Sequence, residues 1–126
     1  MEKLIINTEQ APAPIGPYSQ AVLAGNTLYV SGQIAINPAN GELMTHDLEA
    51  ETKQVLANLS AVLMAAGMSF ENIVKTSIFL SDMSLFAAVN ELYGACFTSN
   101  FPARETVAVK TLPRNVNVEI SAIAIK

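Results

Sequence analysis

The chain has 126 residues, 51% of them hydrophobic and only 14% charged, with seven Lys and Arg against eleven Asp and Glu for a net charge of −4. That length makes one domain, read as spanning 1–126, and the acidic balance has the wrong sign for gripping a polyphosphate backbone. One cysteine, Cys96, and one histidine, His46, leave material for neither an intramolecular disulfide nor a Cys/His metal cluster.

Apolar or β-branched runs predict strands over Lys3 to Asn7, Gln20 to Ala24 and Thr27 to Ile34, the last two joined by a Gly25-Asn26 hairpin turn. From Leu48 the apolar positions fall at Thr52, Val55, Leu56, Leu59, Val62, Leu63 and Ala66, a spacing that only a helix brings onto one face, and Gly67 stops it. Asp47, Glu49 and Glu51 lie in its first turn, where unpaired N–H groups favour negative charge. A strand over Ile73 to Leu80 follows. A second helix begins after Ser84, with Leu85, Phe86, Val89, Leu92, Tyr93, Cys96 and Phe97 on one face and Asp82 or Ser84 as the cap; Cys96 is read as core. Strands over Thr106 to Lys110 and Asn117 to Ile125 close the chain. The order β-β-β-α-β-α-β-β predicts an α+β fold with one sheet and both helices across one of its faces. No apolar run reaches the roughly 18 residues of a membrane span. Met1 to Gln10 lacks a basic region followed by an apolar one, so a soluble, cytoplasmic chain is expected.

Strand parity sorts the residues on the uncovered face. Val118, Ile120, Ala122 and Ala124 should meet the helices, leaving Asn117, Glu119, Ser121, Ile123 and Ile125 outward. By the same rule Val107 and Val109 face the helices, while Arg104, Thr106 and Ala108 point away with Tyr29, Ser31 and Gln33. Charged residues are scarce beside the roughly 25% of an ordinary soluble domain, and a mixed polar and apolar sheet face of this kind is expected to meet another subunit.

No P-loop, dinucleotide, nucleophile-elbow or zincin motif occurs. His46 falls in a turn and Arg114 in the turn Leu112-Pro113-Arg114-Asn115, both read as solvated. Arg104, at the mouth of a strand, needs a carboxylate or phosphate to offset desolvation of its guanidinium. Most acids lie in termini, turns or helix starts; Glu105 stands at a strand start with a solvated role, and Glu119 lies mid-strand between Val118 and Ile120. A structural Arg104–Glu119 ion pair and a ligand site built from both fit these residues equally.

Four stretches go further: Gly16-Pro17-Tyr18-Ser19-Gln20-Ala21, Tyr29-Val30-Ser31-Gly32-Gln33-Ile34, Phe101-Pro102-Ala103-Arg104 with Thr106-Val107, and Val118-Glu119-Ile120-Ser121-Ala122-Ile123-Ala124. Together they resemble the YjgF/RidA family of reactive-intermediate deaminases, also labelled the endoribonuclease L-PSP family, and the likeness runs nearly end to end. The resemblance implies a chorismate-mutase-like α+β fold, a homotrimer with sheets packed inward and sites between neighbouring subunits, and no cofactor. It also implies hydrolysis of enamine and imine acids such as 2-aminoacrylate, 2-iminopropanoate and 2-iminobutanoate to 2-keto acids and ammonia. On this likeness Arg104 clamps the substrate carboxylate, Glu119 handles the water and the protons, and Tyr18, Ser31, Gly32 and Asn90 line the pocket. Many members carry a cysteine where this chain has Thr106; the thiol is lost, though a backbone N–H there can still hold a carboxylate. The resemblance also brings two rival readings, a non-catalytic ligand-sensing or regulatory trimer and a ribonuclease or translation inhibitor; the scattered basic residues disfavour the second.

Overall fold

The computed structural model describes residues 2–126; Met1, the first residue of the single-domain expectation, lies outside them. Six strands form one sheet: β1 (Lys3–Ile6), β2 (Ala21–Ala24), β3 (Thr27–Gln33), β4 (Ile73–Leu80), β5 (Ala103–Ala108) and β6 (Val118–Ile125), in the order β1-β2-β3-β6-β4-β5. Helices α1 (Leu48–Ala65) and α2 (Phe86–Gly94) make the crossovers. α2 joins the parallel neighbours β4 and β5, while α1 leaves a one-strand gap between β3 and β4 that the last strand fills antiparallel to both.

The local causes of α1 are visible at both ends. Asp47 accepts from the Ala50 N–H at 2.7 Å, satisfying an orphan donor. Gly67, at φ +72, takes the left-handed conformation that ends the helix, its N–H reaching the Met64 carbonyl at 2.9 Å. Between them Val55, Leu59, Val62 and Leu63 are fully buried against Leu28, Ile78, Leu80 and Ile120 of the sheet, each such side chain contributing about 1.5–3 kcal/mol. α2 is shorter than its apolar spacing suggests, because a 3-10 turn over Met83–Leu85, capped by Asp82 through the Ser84 N–H, precedes it.

Parity in β6 is as expected: Val118, Ile120, Ala122 and Ala124 are buried under the helices, and Glu119, Ser121 and Ile123 are not. Parity in β5 is reversed. Arg104, Thr106 and Ala108 lie opposite Thr76, Ile78 and Leu80 of β4, all buried on the helix side. Glu105 and Val107 therefore occupy the open face, and Val109 leaves the strand to join a small cluster with Ile34, Ile36, Leu112 and Val116. A bulge in β3 also turns Gln33 from its expected position, since the four residues Val30–Gln33 oppose only the three residues Ile120–Ala122. Gln33 is buried opposite Ile120.

The open face carries Ile5, Tyr29, Val107 and Ile125, each more than two-fifths exposed. Among them stands a polar cluster in which Lys75 meets Glu105 at 3.2 Å and Ser77 hydrogen-bonds the same carboxylate. The hydroxyl of Ser77 first, then Lys75, holds Glu105 below the usual carboxylate range.

Candidate functional site

The bulge that buries Gln33 also shapes a cavity. Glu119 extends from β6 against the backbone of Gly32, so closely that a Cβ at that glycine would come within 2.8 Å of the Glu119 Cδ. No larger residue fits there without moving the carboxylate. The cavity has a volume of about 380 Å3 and is lined by Tyr18, Ser31, Gly32 and Glu119 together with the apolar walls of Ile15 and Ile34. Burial pushes the Glu119 carboxyl above its ordinary value, because the charged form loses hydration.

The walls are held by hydrogen bonds from Gln20, which is buried, and from Ser31, which is half-buried. Gln20 binds the loop before it on both sides: its Oε1 accepts from the Thr8 N–H at 2.7 Å, and its Nε2 donates to the carbonyls of Thr8, Ala11 and Pro12. Ser31 donates its hydroxyl to the Ser19 carbonyl at 2.6 Å. Tyr18 lies half-exposed over Gly16 at the cavity edge.

Arg104 is elsewhere. Its Nη1 donates to Asn90 Oδ1 at 2.7 Å, and its guanidinium lies 5.6 Å from the centre of the Phe86 ring and 5.2 Å from that of Tyr93. Phe86, Asn90 and Tyr93 are spaced four and three residues apart on α2, which puts all three on the face turned to Arg104. Tyr93 is fixed in turn by its hydroxyl, 2.7 Å from Thr76 Oγ1. The guanidinium is exposed beside a cleft formed by Asn90, Tyr93, Gly94, Phe101 and Pro102. Among the described residues no carboxylate pairs with it, so the structural Arg104–Glu119 ion pair is absent within one chain. Thr106 stands behind the arginine, its hydroxyl buried and without a partner.

The sequence-expected residues thus fall into two groups. Tyr18, Ser31, Gly32 and Glu119 share one cavity; Asn90, Arg104 and Thr106 share the edge between β5 and α2. Arg104 and Glu119 do not lie on one face of the sheet, as the reversed register of β5 requires. Cys96 is packed against the core, where burial raises its thiol. His46 and Arg114 are exposed, Arg114 in a turn with φ +57. The rings of Phe86 and Tyr93 were legible as a helix face but not as the seat of Arg104, and Glu51, read as part of a helix start, is wholly buried.

The two groups have complementary chemistry. A guanidinium held only by an amide and two ring faces keeps N–H groups free for a planar anion. A half-buried carboxyl whose pKa is raised by burial is suited to take and return a proton.

The chain matches, over residues 8–126, the family model described as endoribonuclease L-PSP. It is 48% identical over 122 residues to the human 2-iminobutanoate/2-iminopropanoate deaminase, covering 97% of this chain and 89% of that protein. It is 49% identical to a RutC family protein of Pyrococcus horikoshii, covering 98% of each. The crystal structure of the YjgF gene product of E. coli superposes with a TM-score of 0.93 at 47% identity, covering 98% of each chain. The strand order, the two crossover helices and these likenesses over nearly the whole length place the chain in the YjgF/RidA family, with its chorismate-mutase-like α+β fold.

Proposed function

We propose that the protein hydrolyses small 2-imino acids to 2-keto acids and ammonia, at sites that two copies of the chain build together. The observation that carries this reading is the state of Arg104: a guanidinium seated on Asn90, Phe86 and Tyr93 with no protein anion beside it. Its free N–H groups suit the planar carboxylate of an α-imino acid. The C=N carbon next to that carboxylate is already electrophilic, so the reaction needs orientation and proton transfer. Glu119 as base takes a proton from the attacking water, whose oxygen bonds to the imine carbon. The C=N electron pair moves onto nitrogen and the same carboxyl returns the proton there, giving a carbinolamine. The carboxylate then takes the carbinol O–H proton and passes it to nitrogen as C=O forms and the C–N bond breaks, so that a keto acid and ammonia leave. Gly32 gives the Glu119 carboxylate its room, while Tyr18 and Ser31 complete the cavity lining.

Within one chain Arg104 and Glu119 face opposite sides of the sheet, so a second copy must bring them together. The exposed apolar residues of the open face support such an assembly, a homotrimer with its sheets packed inward. The mammalian relatives named as deaminases at 48% identity support the chemistry. RNA cleavage is disfavoured by the net charge of −4.

The test generates 2-iminopropanoate in situ from serine with a dehydratase, traps surviving imine with semicarbazide, and follows pyruvate. Faster imine loss with the wild-type protein than with Arg104→Ala or with no protein is the expected result. Equal rates in all three would overturn the reading and favour a ligand-sensing trimer.

A further inference from the structure

Glu51 is the most deeply buried acid in the molecule, at 0% exposure, and among the described residues it faces no cation. Its Oε2 accepts from the backbone N–H of Asn117 at 2.7 Å and of Val118 at 2.9 Å, and its Oε1 accepts from Asn117 Nδ2 at 2.9 Å. Asn117 is tied in turn to the end of β4: its Oδ1 accepts from the Ser81 hydroxyl at 2.8 Å and its carbonyl from the Ser81 N–H at 3.0 Å. The residue that follows Val118 is Glu119. Seven residues further along α1, the buried Asn58 donates to the carbonyls of Ile34 and Ile36 at 3.0 and 2.9 Å. Both of those residues line the Glu119 cavity. One helix therefore grips two walls of that cavity from the core side, each through a buried polar side chain.

We infer that Glu51 is a positioning residue, clamping the first residues of β6 so that the Glu119 carboxylate stands against Gly32 rather than swinging toward water. This deepens the deaminase reading and rests on it. The chemistry of the clamp favours a carboxylate, which is acceptor-only when ionised and meets three N–H donors. A buried carboxylate without a cation costs more than an apolar side chain of the same size would at a position serving packing alone. The backbone N–H groups of Asn117 and Val118 would lose their partner with an apolar residue here, and the strand start would be free to shift. Tyr18 is the other titratable group lining the cavity, so Glu119 is the carboxyl that reports the shift.

The experiment compares Glu51→Met, Glu51→Gln and Leu56→Ala, a core variant under the same helix that leaves the clamp intact. Kinetics come from the semicarbazide assay and Glu119 is titrated by carboxyl 13C NMR. Glu51→Met is expected to lower kcat about tenfold with KM within about twofold, and to move the Glu119 titration back toward its ordinary value. Glu51→Gln should restore both, since its amide oxygen takes the two backbone N–H groups while Asn117 turns its own amide to accept. Leu56→Ala should lose stability and keep kcat. Wild-type kcat and Glu119 titration in Glu51→Met would overturn the inference, as would an equal fall of kcat in Leu56→Ala. Should Glu51→Met not fold, Asn117→Ala decides, with a roughly threefold loss of kcat expected and an unchanged kcat contradicting. Should the wild-type protein hydrolyse no imine, the deaminase reading fails by itself and the Glu119 titration alone decides the clamp.

Discussion

Gly32 and Glu119 fit together as a socket and its occupant: the space where a Cβ would stand at residue 32 is taken by the carboxylate of residue 119. The backbone at Gly32 has no left-handed φ, so the glycine serves this approach rather than a turn. Gly32→Ala is therefore expected to displace the Glu119 side chain, a flexible end that can move, with little effect on folding. Imine hydrolysis should fall about 10- to 100-fold, the loss of a positioned acid–base group, while the melting temperature stays within about 2 °C of wild type. Activity near wild type would show that the carboxylate works from another position.

Arg104 is held as a fork and not only as a charge. Arg104→Lys keeps the cation but loses the planar pair of donors and the seat on Phe86 and Tyr93. A rise of about 10- to 100-fold in KM is expected, matching the loss of a charge-assisted hydrogen bond worth about 1.5–3 kcal/mol. Asn90→Ala, which frees the guanidinium from its 2.7 Å bond, should move KM in the same direction by a smaller factor. Steady-state kinetics against imine concentration check both, and unchanged values would remove Arg104 from substrate binding.

Glu119 makes a prediction about stability as well as rate. Its carboxyl titrates higher in the folded protein than in the unfolded chain. The stability this contributes is fully present below the ordinary glutamate value of about 4.3 and is lost as pH rises through the raised value. Glu119→Gln should therefore melt above wild type at pH 7 and together with it below about pH 4. The same variant should lose the acid limb of the kcat/KM profile, since no base is left to deprotonate. Thermal denaturation at the two pH values, with a pH–rate profile, decides the matter; a variant less stable than wild type at pH 7 would contradict it.

Much of this was legible in the residues, and the exceptions have physical causes. Strand β6 alternates Val118, Ile120, Ala122 and Ala124 against more polar partners, so its buried face followed from period two. Strand β5 misled because its one valine serves the open face: Val107 is 43% exposed there in one chain, and Val109 belongs to a separate cluster beyond the strand. An apolar open face removes the contrast on which parity depends. The position of Gln33 was hidden by a bulge, an extra residue that shifts register without changing composition. Glu51 was read as a helix-start acid, a role its place in the first turn already explains; only the fold shows that strand β6 begins above it. The likeness across four motifs and at Asn90 of the second helix supplied the expected site residues, but their division between two places needed the register of β5.

That division is the basis of the most direct measurement. Arg104→Ala and Glu119→Gln chains, each with only residual activity alone, are co-expressed in equal amounts and the mixed assemblies are assayed for imine hydrolysis, with native mass spectrometry confirming the hybrids. If each site takes its arginine from one copy and its glutamate from the next around a closed ring of three, random assortment leaves about a quarter of the sites intact. About a quarter of wild-type activity should then return. Hybrid rings without activity would contradict a shared site.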